Sequence, residues 1–273
     1  MARRAVLWVM GVIVALAALP VLLTLAYAVV NPVSTLMIWR WISGERVERV
    51  WTPLSDMSPI LVRTVVASED ANYCRHWGVD LGEIRAAIAK ADDDLEDVRG
   101  ASTIPMQVAK NLFLWNSRSF IRKGLEMPLA LWLDLVLSKR RLLEIYLNIA
   151  EWGPDGEFGV EAGARRAFRM NADQINADQA ALLAVMLPNP HRRDAGRPSA
   201  GVRRLAKRLE ARTVSEGREI VACLGLTDGS ALIRPRGGGR REKLAWREQG
   251  EAASVMRGAR PAGSQIPGPR GPV

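Results

Sequence analysis

A glutamate that follows an apolar segment is the first residue whose position favours catalysis. Residues 61–66 are LVRTVV, and Glu69 comes three positions later. The apolar run predicts a buried helix that ends near Glu69. Partial desolvation raises the pKa of a carboxyl group and suits it to general acid or base catalysis. A carboxylate of this kind can equally serve as a helix cap or a surface group, so that alternative stays open at this point.

A second group of residues combines a helix start with a series of cations. Gly100, Ser102 and Thr103 precede a helical segment, and the free amide groups at a helix N-terminus favour an anion. Four cations then precede Glu126, namely Lys110, Arg118, Arg122 and Lys123. This grouping indicates a phosphate-bearing substrate, although a solvated basic face without a ligand has the same pattern.

Several other classes of protein lack their signatures in this chain. The sequence has no nucleophile-elbow motif, no P-loop, no Gly-rich dinucleotide turn and no Cys/His cluster at metal-binding spacing. Its histidines are His76 and His191, so a zinc site is not expected. The chain has 273 residues and a net charge of +9, but most of that excess lies after Leu232. We therefore expect no nucleic-acid partner.

The elements that position these residues begin with an apolar N-terminal segment. No charged residue occurs between Arg4 and Arg40, and residues 5–30 are almost purely apolar. Roughly 20 apolar residues cross a bilayer as a helix. Arg3 and Arg4 precede the span, which predicts that residues 1–4 are cytoplasmic and that the rest is exported. A cleaved signal peptide is the alternative, and the length of the apolar run favours a retained anchor.

The segment after the span is expected to lead into one helical domain. Residues 31–50 form a juxtamembrane segment, in which Trp39 and Trp41 suit the headgroup region. From there to about Leu226 the apolar residues recur at helical spacing, and no segment alternates for long enough to form a central strand. Residues 51–226 are therefore predicted to form a mainly α domain.

Three features give the expected helices their bounds. Met127 to Leu137 is apolar nearly all round, which indicates a buried or membrane-contacting helix with Pro128 near its start. Lys139 to Ile149 carries its apolar residues on one face. Asn176, with Gln179 three positions later, predicts a capping box at the start of another helix.

The tail and the cysteines complete the organisation. Gly and Pro make up about a third of residues 233–273, so the basic segment 227–273 is predicted to be disordered. Cys74 and Cys223 are far apart in the sequence, and their spacing does not fix their geometry. Two free thiols are expected, with a disulfide as the alternative.

Several blocks of sequence together resemble one known family, the monofunctional biosynthetic peptidoglycan glycosyltransferases, which are related to the glycosyltransferase domain of class A penicillin-binding proteins. The blocks are ASEDANYCRHWGVD (67–80), RGASTIPMQVAKNLFLW (99–115), RKGLE (122–126), SKRRLLEIYLNIAEWG (138–153), FGVEAGARRAF (158–168) and ALLAVMLPNP (181–190). They occur in the order of the family, behind an N-terminal anchor, and cover roughly residues 50–225.

The resemblance implies a fold, a reaction and a location. The fold is a mainly α, lysozyme-like glycosyltransferase domain behind a transmembrane helix. The implied enzyme polymerises lipid II into β-1,4-linked glycan strands, with inversion and release of undecaprenyl pyrophosphate, on the outer face of the bacterial cytoplasmic membrane. Its implied partners are lipid II, the undecaprenyl-pyrophosphate-linked glycan, membrane lipids, and proteins of cell-wall synthesis or division.

The resemblance also implies roles for individual residues. Glu69 matches the general base that deprotonates the acceptor hydroxyl group. Glu126 matches a second carboxylate that works near the donor pyrophosphate, with Mg²⁺ or Mn²⁺ as a possible cofactor beside it. Lys110 and Arg118 match cations that hold the donor. The residues implied to shape the site are Asp70, Ser102, Gln107, Lys123 and Asn148.

Two departures from the family pattern bear on these roles. Pro105 and Met106 stand where the family usually has Thr or Ser followed by Gln, so any contact made by that Gln is in doubt. Two other functions remain as alternatives at this point. A membrane-anchored lysozyme-like hydrolase also uses two carboxylates, but has no pyrophosphate to hold. A non-catalytic basic scaffold would leave Glu69 and Glu126 unexplained.

Overall fold

The computed structural model describes residues 2–90, 101–115 and 119–226. Arg118 and the segment 227–273, for which disorder was expected, lie outside these ranges. Most of the described part is helical, which confirms the mainly α class. The helices are α1 (Ala2–Tyr27), α2 (Thr35–Ile42), α3 (Pro59–Glu69), α4 (Leu81–Lys90), α5 (Ile104–Phe113), α6 (Phe120–Val136), α7 (Lys139–Ile149), α8 (Val160–Phe168), α9 (Ala177–Met186) and α10 (Ala200–Ile220).

Helix α1 has the properties of a membrane anchor. Within residues 3–27 the most apolar 18-residue window has a mean hydropathy of 2.7, and none of that window is buried within the protein. At 1.5 Å per residue the helix is roughly 39 Å long, enough to cross a bilayer. Pro20 lies inside the helix, and Thr24 donates to the Pro20 carbonyl at 2.7 Å. The helix begins and ends about three residues earlier than the span expected from composition.

Six of the other helices form two packed groups. Helices α3, α9 and α10 pack on one another, and α5 packs between α6 and α7. The large side chains at the centre of the domain are fully buried, among them Trp152, Tyr73 and Tyr146. The described strands are two short parallel ones, β1 (Glu48–Arg49) and β2 (Glu157–Phe158). They join the juxtamembrane segment to the domain, and Phe158 of β2 is buried in the core with the helices.

The predicted helix starts are confirmed in two cases and wrong in one. Asn176 and Gln179 form the capping box of α9, and Lys139–Ile149 is helix α7. Helix α6, however, begins at Phe120, so Pro128 lies in its interior and not near its start. The helix starts early because the Ser119 side chain caps it, accepting from the Arg122 amide. Pro128 therefore removes one hydrogen bond inside a continuous helix.

The expectation of two free thiols is wrong. Cys74 and Cys223 form a disulfide across 149 positions, with their Cα atoms 5.5 Å apart. The bond joins the loop after α3 to the short 3₁₀ helix after α10. Because α3 and α10 pack together, they bring two distant cysteines into bonding range, which spacing alone did not reveal.

Loss of this disulfide is expected to destabilise the domain. A native disulfide of this kind contributes about 2–5 kcal/mol by restricting the unfolded chain. The Cys74→Ser/Cys223→Ser double variant should lower the free energy of unfolding by that amount, measured by denaturant titration of the full chain in detergent. Thiol titration of the denatured wild type should detect no free thiol before reduction. Two reactive thiols in the unreduced protein would contradict the assignment.

Candidate active site

Glu69 lies at the point where the buried helix α3 ends. The helix stops because Asp70 turns to an extended backbone conformation with φ of −163°. The Glu69 carboxylate accepts a hydrogen bond from the Gln107 side-chain amide at 3.1 Å. Burial raises the pKa of Glu69, while the bond from Gln107 and the charge of Lys110 oppose that rise. The expected desolvated carboxylate is therefore in place.

Gln107 is held in turn by a buried tyrosine. The Tyr146 hydroxyl group of α7 donates to the Gln107 side-chain oxygen at 3.2 Å, so the amide nitrogen must face Glu69. Burial raises the pKa of Tyr146 well above its ordinary value, which keeps the hydroxyl group protonated as a donor. Tyr146 was not among the residues expected at the site. The sequence did contain an indication of this contact. Tyr146 lies on the apolar face of its helix, and a buried Tyr hydroxyl group needs a hydrogen-bond partner.

Asp70 has a different environment from its neighbour. Its carboxylate is buried and accepts from the Ile104 amide at 2.8 Å and from His76 Nε2 at 2.9 Å. Ile104 is the first residue of α5, so the helix N-terminus that was expected to attract a substrate anion already binds the protein's own carboxylate. Thr103 caps the same helix and donates to the Gly78 carbonyl at 2.6 Å. The loop 70–80 is thereby fixed to the start of α5.

The second carboxylate, Glu126, is almost fully buried among cations. It accepts from Arg122 on one oxygen and from Lys123 on the other, the latter at 2.9 Å. Lys123 also donates to the Ser102 hydroxyl group at 2.6 Å. The structure thus brings Ser102, Lys123 and Glu126 together, as the sequence indicated, and the buried carboxylate orients two cations beside the start of α5.

Lys110 lies one helical turn after Gln107 on α5 and lines a cleft of about 380 Å³. Burial lowers the pKa of this amine, while the negative charges of Glu126 and Glu69 act in the opposite direction. Among the described residues its ammonium group has no hydrogen bond or ion pair. A desolvated cation without a direct partner favours the binding of an anion in the cleft.

The cleft has a second wall that sequence reasoning missed. Ser34, Thr35 and Leu36 at the start of α2 line it, opposite Glu151 and His191. Glu151 accepts from the buried Arg40 at 2.9 Å and from His191 at 3.1 Å. The juxtamembrane segment is therefore part of the cleft and not merely a linker to it.

Glu69 faces a smaller cleft of about 170 Å³, which Asp70 and Ser102 also line. Gln107 lines the larger cleft, and its side-chain amide donates a hydrogen bond to Glu69, which lines the smaller cleft. The Glu69–Gln107 hydrogen bond therefore stands between the two cavities, with the carboxylate on one side and Lys110 on the other. This arrangement suits a reaction between two substrates that approach from opposite sides.

Asn148 does not add to this cluster. Asn148 is fully buried, and its amide group both accepts from the Thr52 amide at 2.8 Å and donates to the Thr52 carbonyl at 2.9 Å. Its side chain thus fastens the segment before α3 to α7 and lines neither cleft. Arg118 lies outside the described residues.

The two departures in α5 leave the cluster intact. Pro105 is in the first turn of the helix, where its missing amide costs no helical hydrogen bond. Met106 is buried against Val79 and Ala130, on a different side of the helix from Gln107. The Met106 side chain therefore contributes to packing, and the contact with Glu69 is made by Gln107.

The surroundings of Glu126 do not fit a resident Mg²⁺ or Mn²⁺ ion. Arg122 and Lys123 occupy its two oxygens. The residues with described positions contain no group of three or more His, Cys, Asp or Glu side chains able to hold a metal. We derive no step through a metal ion.

A helical domain with a desolvated carboxylate beside a cleft that contains a lysine suits a glycosyltransferase. The sequence profile of the transglycosylase family matches residues 36–214. The chain belongs to the transglycosylase family, and its domain is therefore lysozyme-like, as expected from the sequence blocks.

Relatives described as biosynthetic peptidoglycan transglycosylases are similar over most of the chain. The protein of Rhodopseudomonas palustris strain HaA2 is 52% identical over 228 residues, covering 84% of this chain and all of the relative. That of Nitrobacter hamburgensis is 57% identical over 204 residues, covering 75% and 90%. That of Rhizobium etli is 50% identical over 216 residues, covering 78% and 91%.

The hydrogen bond from Gln107 predicts how the reaction depends on pH. A base works only when deprotonated, so the rate of glycosyl transfer should fall as the pH drops through the raised pKa of Glu69. Gln107→Met keeps the size of the side chain but removes the donor that stabilises the carboxylate. The variant should therefore raise the pKa of Glu69 further and move the acid limb of the pH–rate profile to higher pH.

Tyr146→Phe provides a graded control, because it removes only the bond that orients Gln107. Its acid limb should move in the same direction by a smaller amount. Superimposable acid limbs in the wild type and Gln107→Met would refute the predicted effect of Gln107 on the pKa of Glu69.

Proposed function

We propose that this protein polymerises lipid II into peptidoglycan glycan strands in cell-wall synthesis. The donor is the growing glycan on undecaprenyl pyrophosphate, and the acceptor is the 4-hydroxyl group of the incoming lipid II sugar. A β-1,4 bond forms with inversion, and undecaprenyl pyrophosphate leaves. Membership of the transglycosylase family and relatives described as biosynthetic peptidoglycan transglycosylases support this proposal.

The single observation that carries the proposal is Lys110 in the larger cleft. A pyrophosphate leaving group needs neutralisation of charge more than protonation, and a preorganised cation in a desolvated site supplies it. A lysozyme-like hydrolase has no pyrophosphate to stabilise. Apolar side chains of the same cleft, Leu36, Leu114 and Trp115, suit the start of a prenyl chain.

Glu69 acts as the general base toward the smaller cleft. It takes the proton of the acceptor hydroxyl group as that oxygen attacks the anomeric carbon, while the C–O bond to the pyrophosphate breaks on the opposite face. The raised pKa of Glu69 brings its basicity closer to that needed near neutral pH. Gln107 and Tyr146 hold the carboxylate in a fixed direction.

Glu126 acts through the cations that it holds. Its buried carboxylate fixes Arg122 and Lys123 beside Ser102, so that their positive charge is preorganised near substrate phosphate. Lys110 and Arg118 share the charge of the donor pyrophosphate. Mg²⁺ or Mn²⁺ would enter as a counter-ion of the substrate, not as an ion held by a carboxylate cluster.

The location follows from the anchor. Arg3 and Arg4 before α1 favour a cytoplasmic N-terminus, so the domain lies on the outer face of the cytoplasmic membrane as a single-pass protein. The lipid-linked substrates and the anchored enzyme then meet in the plane of one membrane. Proteins of cell-wall synthesis or division are its expected neighbours there.

The test is polymerisation of fluorescent lipid II by the purified full chain in detergent with Mg²⁺, resolved on a gel. Glu69→Gln keeps the shape of the side chain but removes the base. It should reduce the rate by about 10²-fold or more. Glu210→Gln on α10, outside both clefts, is the matched control and should keep the wild-type rate. Cleavage of preformed glycan without a ladder of products would establish the hydrolase instead.

Lys110→Ala should weaken productive binding of the donor. Loss of one charge-assisted bond costs about 1.5–3 kcal/mol, which lowers kcat/KM for the donor by about 10- to 100-fold. Lys110→Arg should recover part of the loss. The exposed Lys207 offers a matched change of charge, and Lys207→Ala should have no effect. If the rate of Lys110→Ala depended on donor concentration as the wild-type rate does, the proposed role of Lys110 in binding the donor phosphate would be wrong.

A further inference from the structure

The end of the membrane helix is bonded to the catalytic domain through one arginine. Arg141 of α7 donates to the Tyr27 carbonyl at 2.9 Å, to the Val30 carbonyl at 2.8 Å and to the Asn31 side-chain oxygen at 3.0 Å. Tyr27 is the last residue of α1, where helix carbonyl groups lack partners and attract positive charge. A guanidinium group with planar donors satisfies several of them at once.

Arg141 is itself fixed by the domain. Its guanidinium group pairs with Glu144 at 2.5 Å and lies over the Trp51 ring, 5.2 Å from the ring centre. Glu144 also accepts from the Leu54 amide at 3.0 Å. If the end of α1 moved relative to the domain, Arg141 would lose its contacts with one of the two.

Further contacts join the same junction to α5, the helix that carries Gln107 and Lys110. Tyr27 stacks on Phe113 with ring centres 6.2 Å apart. The Thr35 hydroxyl group donates to the Leu114 carbonyl at 2.8 Å, one turn after Lys110. The cation of the larger cleft is thus connected to the membrane helix through a short series of packed groups.

The residues between α1 and α2 do not form a flexible linker. The segment 28–34 is AVVNPVS, with a proline and no glycine. Pro32 accepts from Arg49, and Ser34 caps α2 by accepting from the Met37 amide. Flexible linkers are typically rich in Gly and Ser and free of such contacts.

We propose that Arg141 is a positioning residue that fastens the catalytic domain rigidly to the membrane helix. The junction fixes the height and tilt of the larger cleft above the bilayer. This inference rests on the proposed function, because only a substrate anchored in the same bilayer requires a cleft at a fixed height. A pyrophosphate attached to a membrane-embedded prenyl chain stays close to the membrane surface, so a displaced cleft would hold it poorly.

The decisive experiment measures the reaction rate of the full chain in proteoliposomes with two different substrates. One is lipid II with its complete prenyl chain in the bilayer, and the other is a lipid II analogue with a short prenyl chain, added from water. Arg141→Ala should lower the rate on the membrane substrate by about tenfold or more, because small misplacement of reacting groups has effects of that size. The rate on the soluble analogue should stay within about twofold of the wild type.

Arg140→Ala is the matched control. Arg140 is the adjacent residue on α7 and also donates to a backbone carbonyl group, that of Leu224, at 2.5 Å. Its loss should leave the ratio of the two rates unchanged. Arg141→Lys, which keeps the charge but not the planar fork, should give an intermediate ratio. An equal loss on both substrates in Arg141→Ala, or no loss on either, would overturn the positioning role.

A second measurement tests the rigid junction without enzymatic activity. Val214 on α10 is exposed, and the native cysteines are bonded to each other, so Val214→Cys can carry a single fluorophore. Energy transfer to labelled lipids should give a narrow distribution of heights above the bilayer, which broadens in Arg141→Ala but not in Arg140→Ala. Equal distributions would overturn the proposal. Absence of polymerisation by the wild type would instead count against the proposed function.

Discussion

The buried carboxylate of Asp70 is the contact on which the remainder of the site depends. It binds the first amide of α5 and the His76 ring at once, and so fixes the end of α3 to the start of α5. Glu69 precedes this carboxylate directly, while Gln107 follows one turn into α5. The distance between the Glu69 carboxylate and the Gln107 amide is therefore set by the neighbouring carboxylate. The helix N-terminus at which the sequence predicted a substrate anion binds the protein's own carboxylate instead.

Burial shifts the pKa values of Glu69 and Lys110 in opposite directions, and both shifts disfavour the charged form of the group. It raises the pKa of Glu69 and lowers the pKa of Lys110, so each group is less stable in its charged form than it would be in water. Glu126 shows the contrasting case, because Arg122 and Lys123 pair with its two oxygens. The site thus separates a paired ion cluster, which maintains geometry, from two desolvated groups, Glu69 and Lys110.

The sequence predicted what depends on local patterns and missed what depends on packing between distant segments. Glu69 at a helix end, the capped start of α5 and the capping box at Asn176 follow from residues a few positions apart. The Cys74–Cys223 bond, the Tyr146–Gln107 contact and the role of Ser34 and Thr35 in the cleft required α10, α7 and α2 to be placed in space. Pro128 was misjudged because a local rule for proline was applied without the cap at Ser119, which starts the helix earlier.

The bond between Cys74 and Cys223 has a practical consequence for recombinant work. The family match ends at residue 214, inside α10, and a chain shortened to that boundary would lose Cys223 together with the end of the helix. The remaining Cys74, five positions after Glu69, would become an unpaired thiol prone to intermolecular crosslinking. A soluble fragment should therefore extend through residue 226 and be produced in an oxidising compartment.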